Sequence, residues 1–132
     1  VNASQFAKYV DFFSIGTNDL VQYALAIDRV NDEVNYLYDP FNSAVLQLIH
    51  NVIKAGKKYN IPVSLCGEMA GDINFTRLLL GMGLQSFSMH PSAIPEIKKI
   101  ILNSDTNKFR SIVKRIISND AKKKELIDRI NS

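Results

Sequence analysis

The chain has 132 residues, of which 46% are hydrophobic and 22% charged, with a net charge of +3. These values suit one globular domain of ordinary size, and no apolar run approaches the roughly 20 residues of a membrane-spanning helix. The only cysteine, Cys66, excludes an intramolecular disulfide framework and a four-cysteine zinc site, and fits a reducing cytoplasm.

The charge is unevenly spread. From Lys98 onward ten Lys/Arg stand against four Asp/Glu, whereas residues 1–97 carry six against nine. A basic tail can attract nucleic acid. Here the charges interleave with a helical apolar pattern and no aromatic platform accompanies them, so the tail reads as solvated helix faces, with no nucleic-acid partner.

Val1–Val10 lacks a basic start followed by an apolar stretch, so it does not read as a secretion signal; it resembles the end of a helix. The first strand is predicted over Val10–Ile15 and runs into Gly16-Thr17-Asn18-Asp19. Glycine allows close backbone approach, asparagine offers both donor and acceptor, and aspartate is a hard oxygen ligand suited to magnesium. Asn and Asp also begin helices very often, so taken alone the pair reads first as a cap, a role compatible with binding an anion. Arg29, in Ala26-Ile27-Asp28-Arg29, can grip a phosphate or carboxylate with its planar fork, or form a surface ion pair with Asp28 or Asp32.

A helix capped by Asn42 or Ser43 is predicted to about Lys58, with Val45, Leu46, Ile49, Val52 and Ile53 on one side. The second strand, Ile61–Cys66, leads into Gly67-Glu68-Met69-Ala70-Gly71. The first two strands are apolar enough to be buried on both faces. Cys66 is either a small core residue or, at a strand's carboxyl end, a nucleophile or proton donor. Glu68 is an acceptor, a base or an ion-pair partner.

Asp72 caps a further predicted helix, which Gly81 or Gly83 ends. A third strand covers Ser86–Met89 and ends in His90-Pro91-Ser92. Pro95 suits the first turn of the next helix. Phe109, Ile112, Val113, Ile116 and Ile117 follow the spacing of a one-sided helix, and a last one spans Ala121–Ile130. His50 reads as a surface residue, and His90 lines a pocket or is solvated; the two have no metal-ligand spacing. No Gly-x-Ser-x-Gly turn is present, which excludes that hydrolase pattern.

Strand–helix alternation implies parallel strands joined by right-handed crossovers, an α/β fold. Chemistry in such sheets sits at the carboxyl ends of the strands. Those ends carry Asn18, Asp19, Cys66, Glu68 and His90.

Taken together, Asp11-Phe12-Phe13-Ser14-Ile15-Gly16-Thr17-Asn18-Asp19-Leu20 with Gln22-Tyr23 and Asp28-Arg29, Leu65-Cys66-Gly67-Glu68-Met69-Ala70-Gly71-Asp72, Leu78–Leu84 and Phe87-Ser88-Met89 resemble the enzyme I family. These are the phosphoenolpyruvate (PEP)-protein phosphotransferases of the bacterial sugar phosphotransferase system. The resemblance runs from about Asp11 to Ile101. It implies that residues 1–132 form one partial domain, the C-terminal portion of a (β/α)8 TIM-type barrel. On that reading residues 1–103 are its last three β/α units and residues 104–132 C-terminal helices.

By resemblance, Asp19 is a magnesium ligand, Asn18 and Arg29 contact the substrate phosphate, and Cys66 protonates the methylene carbon of enolpyruvate. An ordinary thiol, with a pKa of about 8.5, is mostly protonated at neutral pH and can do so. The resemblance further implies a cytoplasmic homodimer that uses PEP and Mg2+, releases pyruvate, and passes phosphate through an N-terminal histidine domain to a small carrier protein. The second acidic metal ligand and further substrate arginines would lie before Val1, so this stretch alone is expected to be inactive. Related alternatives are a pyruvate phosphate dikinase or PEP synthase fragment, or a non-catalytic barrel remnant used in dimerisation or regulation.

Overall fold

The computed structural model describes residues 1–28, 33–118 and 121–132. A short helix α1, Ala3–Phe6, precedes strand β1, Phe13–Gly16, and helix α2, Thr17–Leu25. Helix α3, Ser43–Tyr59, leads to β2, Val63–Cys66, and α4, Ile73–Met82, leads to β3, Ser86–Phe87. The chain closes with α5, Ile94–Leu102, α6, Thr106–Ile117, and α7, Lys123–Asn131.

Local chemistry sets the helix ends. Asn42 accepts from the Ala44 amide at 2.9 Å, and Asp72 accepts from the Asn74 amide at 2.8 Å. Each satisfies an amide that the first turn leaves unpaired. Gly83, with φ 100°, closes α4 in the left-handed conformation that glycine adopts without steric cost.

The strands form one parallel sheet in the order β1-β2-β3. Side chains alternate across it. Phe13 and Ile15, Val63 and Leu65, and Phe87 share one face, and α3 packs against β1 and β2 there. Ile15 and Leu65 are buried on this face. Registered Ser14, Ser64 and Ser86 share the opposite face with Gly16 and Cys66.

Each strand alternates a large apolar residue with a small one, and only the apolar set meets helices.

The core lies between that apolar face and the helices. Val45, Leu46 and Ile49 of α3 and Leu78 and Leu79 of α4 belong to one buried cluster, all 0% exposed. Each such side chain contributes about 1.5–3 kcal/mol on burial. Helix α4 packs against α5, α6 and α7, so apolar residues encircle it. Val113, Ile116, Leu126 and Ile130 of α6 and α7 complete the cluster.

The predicted elements all form, with shorter strands. Val10–Phe12 precedes β1, and Phe12 is 63% exposed. The ladder begins where Phe13 meets Val63, one residue after Pro62.

Candidate functional site

The carboxyl ends of β1 and β2 meet at one rim, where Gly16 and Cys66 are register partners. Thr17 begins α2 immediately beyond β1, with Gly16 as its N-cap residue and no side-chain cap bond. Asn18 and Asp19 therefore do not cap their own helix. Asn18 is half-buried, and its Oδ1 accepts from the backbone N–H of Glu68 at 3.1 Å. Thr17 is 1% exposed, and its hydroxyl donates to the Cys66 carbonyl at 2.8 Å. Asp19 is exposed in the first turn of α2, where helix N–H groups favour a negative charge.

Cys66 is half-buried, and its thiol makes a weak contact to the Ile15 carbonyl, with Sγ 3.6 Å from the oxygen. Gly67 follows with φ 94° and ψ −175°, a conformation essentially limited to glycine. Space imposes the same limit: an added Cβ would lie 2.5 Å from Thr17 Oγ1 and 3.0 Å from Asn18 Oδ1. Glu68–Gly71 then makes a 3-10 turn that buries Met69 and Ala70.

A small cavity of about 80 Å3 lies under this rim, lined among others by Thr17, Asn18, Glu68, Met69 and Asp72. Two of its other lining residues, Tyr38 and Pro40, precede α3, and the Phe75 ring at its edge stacks on Phe41 with centroids 3.9 Å apart.

Hydrogen bonds thus join Thr17 and Asn18 to Cys66 and Glu68 at the ends of two adjacent strands, and Asp19 follows them in α2, exposed. His90 is exposed at the end of the third strand segment, where its Nδ1 lies 2.8 Å from Ser92 Oγ and accepts from the Ser92 amide at 3.4 Å. It holds the 3-10 turn Pro91–Ala93 and does not line the cavity. Arg29 lies outside the described residues. Sequence reading did not single out Thr17, because its partner is 49 positions away. The one available signal was its place between the turn glycine and the Asn-Asp pair.

A larger groove of about 1330 Å3 opens at the other ends of the strands, beside Ile61–Val63 and Gly83–Gln85. It holds none of the rim residues, and its size alone does not make it the reactive site. His50 lines it and is half-buried, in contrast to the surface position expected. Burial, and then the nearby charge of Lys54, lower its pKa below the ordinary 6.5.

Below pH 6.5 the unfolded chain takes up a proton that the folded chain resists, so His50 costs stability as pH falls through that window. His50→Gln is expected to flatten the fall in Tm between pH 7.5 and 5.5. Equal slopes for the two proteins would contradict this.

Among the described residues no helix is long and apolar enough to cross a membrane. The family described as PEP-utilising enzyme, PEP-binding domain, matches residues 1–106. A phosphoenolpyruvate-protein phosphotransferase of Lactococcus lactis is 46% identical over 125 residues, covering 95% of this chain and 22% of that protein. The Cupriavidus necator protein of that name is 48% identical over 112 residues, 85% of this chain and 19% of its own length. One from Buchnera aphidicola of Baizongia pistaciae is 50% identical over 115 residues, 87% of this chain and 20% of its own. The chain spans about a fifth of the length of these relatives. With four-fifths of its residues inside the matched region, it belongs to the PEP-utilising enzymes, in their PEP-binding domain.

Proposed function

We propose that this chain is part of a phosphotransferase that moves phosphate from PEP to a histidine elsewhere in the full protein, releasing pyruvate and passing the phosphate to a carrier protein. The observation that carries the reading is the convergence of Gly16–Asp19 and Cys66–Glu68 on one rim, held by the Thr17–Cys66 and Asn18–Glu68 hydrogen bonds. Relatives named phosphoenolpyruvate-protein phosphotransferase support the reaction class.

The three strands would be the last three of a (β/α)8 barrel. Parallel pairing in chain order, with each strand followed by a helix, supports this. A homodimer built through that barrel, in the cytoplasm, completes the reading.

Among the described residues no three His, Cys, Asp or Glu side chains converge as a metal site. Magnesium commonly takes only one or two carboxylates, together with substrate phosphates. The exposed Asp19 carboxylate fits that donor set as one ligand. Bound there, the ion would neutralise charge on the phosphate oxygens.

Asn18 would donate to the phosphate through its amide, and Arg29 would grip it with its guanidinium. After the phosphoryl group leaves, Cys66 would give its proton to the methylene carbon of the enolate. The carbon–carbon π pair forms the new C–H bond, the enolate oxygen becomes the ketone of pyruvate, and the thiol is left as thiolate, to be reprotonated from solvent.

Cys66→Ser, made in the longest natural polypeptide that carries these residues, is expected to slow pyruvate release by about 100-fold. PEP binding, followed by calorimetry, should persist. Unchanged pyruvate release would remove the acid role of Cys66. Absence of release by the unaltered protein would remove the phosphotransferase reading.

A further inference from the structure

Among the described residues, Thr17 is the one buried polar side chain at the rim that the chemistry above leaves unassigned. A threonine in the first turn of a helix can turn its hydroxyl to the nearby backbone of its own segment. This one instead reaches the last residue of the neighbouring strand, the Cys66 carbonyl, at 2.8 Å. The next group along, the α-carbon of Gly67, can sit against Thr17 only because it bears no side chain. The third, the Glu68 N–H, donates to Asn18 Oδ1.

Three consecutive groups of the cysteine turn are therefore matched by two adjacent side chains of the other motif. Committing Oδ1 of Asn18 to an N–H leaves its Nδ2 hydrogens as the donors free for an anion.

We infer that Thr17 is a positioning residue that acts through Cys66 and Asn18: its hydroxyl pins the cysteine turn to the start of α2, so that the proton-donating thiol and the phosphate-binding amide keep one fixed separation. This rests on the reading of function given above. The physical reason is that proton transfer to carbon needs the donor held at a near-attack distance, and a misplacement of about 1 Å can cost on the order of 100-fold. A part-buried, directional hydrogen bond between the two strand ends supplies that restraint. Van der Waals packing of a methyl group in the same place does not.

The test compares Thr17→Val, which keeps the shape and removes the hydroxyl, with Thr17→Ser, which keeps the hydroxyl, in the longest natural polypeptide that carries these residues. The valine variant is expected to lower kcat for pyruvate release by about 30- to 100-fold, and the serine variant to recover most of it. Independently of PEP chemistry, the rate of Cys66 alkylation by iodoacetamide should change by about tenfold in the valine variant and return towards the original in the serine variant.

A valine variant with only a lowered Tm, and with kcat and alkylation unchanged in the folded protein, would overturn the inference. Should the unaltered protein release no pyruvate, the functional reading fails while alkylation still decides whether Thr17 sets the thiol. Should the valine variant not fold, NMR of the unaltered protein decides. A Thr17 hydroxyl proton protected from exchange supports the restraint, and a freely exchanging one removes it.

Discussion

Gly67→Ala is expected to lower stability by about 3 kcal/mol and to abolish pyruvate release. The backbone at φ 94° and ψ −175° lies where a side chain costs about 1–3 kcal/mol by itself. The new methyl would also lie 2.5 Å from Thr17 Oγ1, so the two cannot coexist without movement. Relief requires the cysteine turn to lift from α2, which breaks both rim hydrogen bonds together. Gly16→Ala is the matched control at the same rim: its φ is −84°, and nothing lies within 4 Å of an added Cβ. Its cost should stay under about 1 kcal/mol. Urea unfolding of the two variants measures the contrast, and equal midpoints would contradict the steric account.

Leu65→Ala should cost about 3–4 kcal/mol by urea unfolding. Leu65 sits in the central strand, 0% exposed, with Ile15 and Phe87 as its register partners. Truncation removes its contacts with the core and leaves a cavity that two hydrogen-bonded neighbouring strands cannot close. The loss is large against the roughly 5–15 kcal/mol that holds an ordinary domain folded. Leu102, 75% exposed, provides the comparison, and its truncation should fall within about 0.5 kcal/mol. A cost for Leu65→Ala as small as that for Leu102→Ala would mean that the sheet does not anchor the core.

Much of the fold is legible in the residues, because its signals are local. Asn42 and Asp72 cap α3 and α4 through bonds two residues away, so the chain announces them without knowledge of the rest. The one-sided pattern from Phe109 to Ile117 becomes α6, with Val113 and Ile116 buried. Strand limits are less legible. Val10–Phe12 is as apolar as β1 itself, but a strand ends where its partner ends, and that partner lies some fifty residues away. The two histidines separate for the same reason. His90 serves its own turn, whereas the half-burial of His50 depends on a groove shared with α6.

The residues by themselves determined the alternation of strands and helices, the helix caps, and the two motifs that mark a PEP-utilising enzyme. Short-range spacing and side-chain chemistry suffice for those. Tertiary structure alone decided that Asn18 bonds to Glu68 in place of capping α2, that Thr17 holds Cys66, and that the thiol shares the serine-bearing face of the sheet. Each depends on which strand pairs with which and in what register. A one-residue slip of β2 would turn Cys66 towards the helices and Leu65 away from them.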